Sequence, residues 1–290
     1  MIKNILKGMV IGIANIIPGV SGGTMMVAMG IYDKLIHCIT HLFSEFKKSV
    51  KFVLPIGIGM VLGIVLLSQL IGLMFDKFPI QTNLLFIGLI LGGLPAIYGN
   101  VKGQTIRPGH IGAFLVFFCL VVGMAAVGEV DKAGNILTFS AVNCLILFVV
   151  GVIAAATMVI PGVSGSMVLM LLGYYNSIID TINNLVHALL DFDMNGMIQG
   201  VLVLVPFGIG VVVGIFAIAK LVEIIFKKFP HYAYWAIIGL IIASPFAIVM
   251  LNDFSGINVI SIFTGIIALI VGAVIALNLG KEDIKEKNIS

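Results

Sequence analysis

The amino-acid sequence predicts an all-α polytopic membrane protein made of two inverted-topology repeats, each with one broken or re-entrant helical hairpin and about three spanning helices. Composition, the spacing of apolar runs and an internal duplication carry that expectation. Of 290 residues 60% are hydrophobic and only 10% are charged, against roughly 25% charged in a soluble domain. A water-soluble fold is thereby excluded. A span needs about 20 mostly apolar residues, and such runs fall at residues 51–75, 84–98, 111–128, 136–160, 201–226, 233–250 and 257–279.

The duplication is visible when the chain is compared with itself. At an offset of 143, residues 8–36 match 151–179 at ten of 29 positions, including all of Pro18-Gly19-Val20-Ser21-Gly22 against Pro161-Gly162-Val163-Ser164-Gly165. At an offset of 151, residues 55–90 match 206–241 at 16 of 36 positions, including Lys77-Phe78-Pro79 against Lys228-Phe229-Pro230. The extra 151 − 143 = 8 residues belong to the second loop, near 191–200. Shared Pro, Gly and Lys in register do not follow from apolar composition alone. The expected organisation is a first repeat at 1–132, a second at 133–280 and a short cytoplasmic tail at 281–290; the last span of each half, 111–128 and 257–279, pairs only weakly.

In chain order, Lys3 and Lys7 precede an apolar stretch that could pass for a signal peptide, but the stretch meets Pro18-Gly19 and recurs later, so it reads as structure. Pro18 lacks an N–H and the following glycines permit turns, so the helix is expected to break there. Ser21 and Thr24, with Ser164 and Ser166 in the second copy, suit N-cap positions for the helix that resumes. A broken helix within a bilayer is tolerated only where it is buried in protein or lines a wet cavity. Its unpaired N–H groups and the positive end of its dipole form an anion site. Inversion brings two such helix starts together near the membrane middle, as in many secondary transporters.

Lys and Arg accumulate in cytoplasmic loops. The loop after the first motif carries Lys34, Lys47, Lys48 and Lys51, whereas its counterpart carries Asp180, Asp191 and Asp193, with no Lys or Arg anywhere from 133 to 219. Equivalent loops therefore face opposite sides. With one hairpin and three spans per repeat, Lys3, Lys7, Lys102, Arg107, Lys220, Lys227 and Lys228 fall inside, Glu129, Asp131 and Asp253 fall outside, and both termini are cytoplasmic.

Other residues carry less. His37 and His41 have the i, i+4 spacing of a metal pair, but lack a nearby carboxylate pattern and read as interfacial. Lys220 and Glu223 stand at i, i+3 in an apolar run and are expected to pair or to snorkel. Met25, Met26 and Met29 read as packing, and Tyr232, Tyr234 and Trp235 as an interfacial belt. Cys38, Cys119 and Cys144 lack CxxC spacing and read as apolar side chains. The net charge of +3 is too small for a nucleic-acid partner, and without a GxxxxGK[ST] loop no ATP-driven step is expected. No metal or cofactor is expected.

The segments Asn15-Ile16-Ile17-Pro18-Gly19-Val20-Ser21-Gly22-Gly23-Thr24 and Met158-Val159-Ile160-Pro161-Gly162-Val163-Ser164-Gly165-Ser166 resemble those of the bacterial polyprenyl-phosphate transporters, over almost the whole chain. The resemblance implies a translocase of the bacterial cytoplasmic membrane that returns undecaprenyl phosphate from the outer to the inner leaflet for envelope synthesis. It also implies a substrate path lined by Asn15, Pro18, Gly19, Ser21, Gly22, Gly23 and Thr24 in one half and Pro161, Gly162, Ser164, Gly165 and Ser166 in the other. Lys34, Arg107 or Lys220 would attract the headgroup. The residues alone give an anion near the midplane, and two rivals stand beside the resemblance: a membrane phosphatase acting on the lipid pyrophosphate, and a carrier of a small soluble anion. Proton or sodium coupling is expected, because moving one negative charge inward against an inside-negative potential costs about 2.3 kcal/mol per 100 mV.

Overall fold

The structure is a computed structural model, and it describes residues 2–15, 20–103, 105–127, 137, 140–252, 254 and 257–287. Among them every regular element is an α-helix. Six helices come from each half of the chain: α1 (Ile2–Ala14), α2 (Gly22–Ala28), α3 (Tyr32–Thr40), α4 (Phe46–Lys77), α5 (Pro79–Tyr98) and α6 (Pro108–Val127), then α7 (Ala141–Val159), α8 (Gly165–Leu172), α9 (Tyr175–Leu190), α10 (Met194–Lys228), α11 (Pro230–Leu251) and α12 (Val259–Lys287). Six stretches are long and apolar enough to cross a membrane, at Phe46–Leu67, Pro108–Val127, Ala141–Val159, Met194–Lys228, Pro230–Leu251 and Val259–Leu279. The expected run at 84–98 instead belongs to a broken element in which Leu70–Lys77 and Pro79–Pro95 meet at 118°.

That bend has a local cause. Pro79 is the first residue of α5, and a residue before proline is pushed out of the helical region. Phe78 accordingly sits at φ −136°, ψ 53°. Its carbonyl is recovered by the Thr82 hydroxyl, which donates at 2.7 Å and also reaches the Met74 carbonyl at 3.1 Å. Phe229, before Pro230, adopts φ −135°, ψ 53°, so the repeated Lys-Phe-Pro produces the same backbone twice.

The chain forms two compact units. The first comprises Met1–Ala126, Pro161–Val163 and Leu221–Ser290; the second comprises Val127–Ile160 and Ser164–Lys220. In the first, α1 packs along α4 with Gly8 and Gly12 against the Ile56 and Met60 backbone, and Gly59 and Gly63 against that of Ile5 and Met9. Small residues four apart on both helices let the backbones approach, which is how membrane helices gain contact without a hydrophobic driving force. Gly93 of α5 meets Ala28 of α2 in the same way, and Gly88 and Gly92 of α5 meet Leu269 and Ala273 of α12. Gly239 of α11 meets Phe114 of α6. Thus the fifth helix of each half packs on the sixth helix of the other.

In the second unit α7 lies on α10, with Gly151 against Phe207, Gly210 against Phe148, and Gly214 against Val152 and Ala155. At the two offsets Gly151, Gly210 and Gly214 are the repeat partners of Gly8, Gly59 and Gly63. Val150, Ala154, Leu169 and Ile178 form the core beneath α8 and α9, with Leu204 and Phe207 packed on it.

Side chains that face away from these cores are large and apolar. Val65, Val116, Val142 and Phe263 are 66%, 63%, 68% and 67% exposed. An apolar exterior of this extent suits lipid and not water.

Candidate functional site

The first motif lies in the first unit. Pro18 and Gly19 fall outside the described residues, but the break they predict is there: α1 ends at Ala14 and α2 starts at Gly22. Ser21 occupies the N-cap with extended dihedrals, yet its side chain makes no capping bond. Asn15 does that work instead, its Oδ1 accepting from the Gly22 N–H at 3.1 Å. A Cβ at position 22 would stand 2.5 Å from that same Oδ1, so a larger residue there displaces the Asn15 side chain. Gly23 is buried behind it. Thr24 is no cap either. It lies within the first turn of α2, fully buried, and its Oγ1 has no hydrogen-bond partner among the described residues.

At the other end of α2 stands Lys7, only 5% exposed, donating from Nζ to the Met29 carbonyl at 3.2 Å. A cation at a helix C-terminus is favourably placed. The sequence treats Lys7 as one of several loop charges. Its neighbours tell otherwise, because Lys7 shares a helical face with the buried Gly8, Ile11 and Ala14.

The second motif begins in the first unit and continues into the second. Gly162 has φ +80°, and a Cβ there would come within 3.1 Å of the Leu240 side chain, so both backbone and space call for glycine after Pro161. Ser164 is the N-cap of α8 as expected, accepting from the Met167 N–H at 3.5 Å. Its hydroxyl also lies 3.0 Å from that of Ser166, in the first turn. Gly165 keeps clear of Thr157, whose Oγ1 would be 3.1 Å from an added Cβ. The two copies thus cap by different means, a side chain from the preceding helix in one and the motif serine in the other.

The three candidate cations are dispersed. Lys34 is exposed on α3, its ammonium 4.8 Å from the Phe52 ring centre. Arg107 is exposed just before α6, its backbone N–H donating to His110 Nδ1 at 3.3 Å. Lys220 is exposed on α10, at the edge of the second unit. Glu223 turns to Lys227 at 2.7 Å.

Glu223 also corrects the reading of the histidines. Its buried carboxylate lies 3.8 Å from His41 Nδ1, so a carboxylate reaches His41 from α10, while Glu45, four residues on in sequence, lies 3.8 Å from His37 Nε2. Burial pushes the Cys38 thiol on the same helix above its ordinary range, which keeps it protonated beside them. Tyr234 donates to the Asp33 carboxylate at 3.3 Å, a further tie between α3 and α11.

Chemically, each motif offers backbone N–H groups at a helix start, hydroxyls and glycines, a set that suits an oxyanion and contains no acid, base or nucleophile activated by one. A multi-pass helical membrane protein with two glycine-bearing helix breaks is the class these features define. The chain belongs to the undecaprenyl phosphate translocase-like family, which it matches over residues 11–255. It is 31% identical over 284 residues to a protein of Staphylococcus aureus named polyprenyl-phosphate transporter, across 96% of this chain and 95% of that one. A Vibrio cholerae protein of the same name is 26% identical over 211 residues, across 68% of this chain and 65% of its own. No solved structure matches the chain.

Proposed function

We propose that this protein is a translocase for a polyprenyl phosphate, undecaprenyl phosphate in a bacterial cytoplasmic membrane, carrying it from the outer to the inner leaflet for reuse in envelope synthesis. The observation that carries this reading is the pair of uncharged helix breaks in a membrane protein of this family. The headgroup crosses by alternating access while the prenyl tail stays in lipid, and each helix-start motif offers it backbone N–H groups. Asn15, Pro18, Gly19, Ser21, Gly22, Gly23 and Thr24 in the first motif, and Pro161, Gly162, Ser164, Gly165 and Ser166 in the second, are the residues that contact it. Lys34, Arg107 or Lys220 attracts the headgroup at the cytoplasmic face. The two halves, 1–132 and 133–280, are related by inversion, as their opposite loop charges suggest, and both termini are cytoplasmic.

Translocation is favoured over hydrolysis because phosphate cleavage needs cationic clamps and an acid or base at the reacting atom, and the motif segments contain no charged residue and no histidine. A phosphate monoester carries between one and two negative charges near neutral pH, so inward movement is opposed by the membrane potential. A co-transported proton or sodium ion, with consumption of the carrier inside, supplies the drive.

The test is a proteoliposome assay that follows labelled undecaprenyl phosphate between leaflets. Exchange that depends on the protein, and that falls on replacing Ser21 and Ser164 together by Val while folded protein is retained, is the expected result. Passage of a soluble anion without lipid exchange would instead assign the soluble-anion carrier, and release of inorganic phosphate from the lipid pyrophosphate would assign the phosphatase.

A further inference from the structure

From the cluster of His37, His41 and Glu223 in the first unit, we infer that this protein carries a site for a divalent first-row transition ion, of which Zn²⁺ is the natural probe. This is independent of what the protein transports. The i, i+4 spacing places both imidazoles on one face of α3, where their rings stack with centroids 4.2 Å apart. Glu223 enters from the last turns of α10. One ligand atom from each of the three residues lies within 4.8 Å of the others. Donors of a tetrahedral zinc site bonded at about 2.0–2.1 Å stand about 3.4 Å apart, so side-chain rotation alone, with no movement of the helices, closes the set. Two imidazoles and a carboxylate suit zinc and its neighbours and do not suit magnesium or calcium, which prefer oxygen.

Two charged groups lie against the cluster. Glu45 Oε1 lies 3.8 Å from His37 Nε2 and supplies a further carboxylate. Lys227 holds Glu223 Oε1 at 2.7 Å and is the competitor that the ion must displace. Its side chain is 66% exposed, so it swings into solvent without breaking the fold. The carboxylate itself is nearly buried, where a metal ion offsets the cost of taking its charge out of water. An ion bound here ties α3, the helix that follows the motif helix α2, to the end of α10.

The experiment is calorimetric titration of tag-free, full-length protein in lipid nanodiscs with ZnCl₂, accompanied by thermal melts. We expect one ion per chain. His37→Ala with His41→Ala should weaken binding by about tenfold or more, and Glu223→Gln should weaken it too. His187→Ala, on exposed α9, should bind as the parent does. Lys227→Gln should tighten binding at least about fivefold, since each of the ion's two charges loses about 1 kcal/mol of repulsion from a unit charge at about 4 Å in water. Zinc should raise the melting temperature of the parent and not of the double histidine variant. The proposal is overturned if no binding is seen below about 100 µM or if the double variant binds like the parent; because His37 is half exposed, that variant folds. A Lys227→Gln protein that binds no more tightly would remove Glu223 from the site.

Discussion

Asn15 and Ser164 show how one motif is stabilised in two ways. Asn15 accepts from the Gly22 N–H and Ser164 from the Met167 N–H, so Asn15→Ala and Ser164→Ala should each lower stability by about 1 kcal/mol, the worth of an N-cap. Ser21→Ala should cost less, since its hydroxyl makes no capping bond; thermal melts of the three variants decide the order. Thr24 is the more telling position. A buried hydroxyl without a partner among the described residues carries an unrecovered desolvation cost, so Thr24→Val should hold or raise the melting temperature. If the hydroxyl waits for a phosphate oxygen, the same variant slows lipid exchange. Unchanged exchange would leave Thr24 out of the path.

Helix packing rests on glycine pairs repeated in both halves. A Cβ at Gly63 of α4 would stand 2.8 Å from the Met9 Cα, and nothing yields there because the obstacle is backbone. Gly63→Val should therefore cost about 2–3 kcal/mol or more through overpacking. Gly72→Val in the same helix meets nothing within 4 Å and should be tolerated. The comparison of folded yield after detergent extraction separates steric loss from the general effect of adding a β-branched residue. The bend at Phe78 and its twin geometry at Phe229 belong to this scale as well, since Lys-Phe-Pro reproduces the same dihedrals regardless of what surrounds it.

For the whole molecule, the electrical work of transport is the decisive quantity. An inside-negative potential of 100 mV opposes inward passage of one uncompensated negative charge by about 2.3 kcal/mol, close to a fiftyfold bias at equilibrium. In proteoliposomes the potential should therefore depress inward exchange when no cation gradient is present, and a proton or sodium gradient directed inward should restore it. Exchange indifferent to the potential would mean that the moving complex is already neutral. The apolar exterior and the six spanning stretches make the membrane the only medium in which this measurement is meaningful.

Composition determined that the chain lives in a membrane, because 60% hydrophobic residues leave no soluble alternative. Proline determined where α7 stops, since Pro161 holds Ile160, the residue before it, in an extended conformation. The run at 84–98 was legible as apolar but not as part of a bent element, because hydropathy carries no direction. Which groups meet was decided only by tertiary structure. Asn15 as a cap, Lys7 against the end of α2, and Glu223 beside His37 and His41 depend on which faces the glycine pairs press together. Periodicity and composition are properties of neighbours in sequence, whereas a hydrogen bond or a set of metal ligands is a property of neighbours in space.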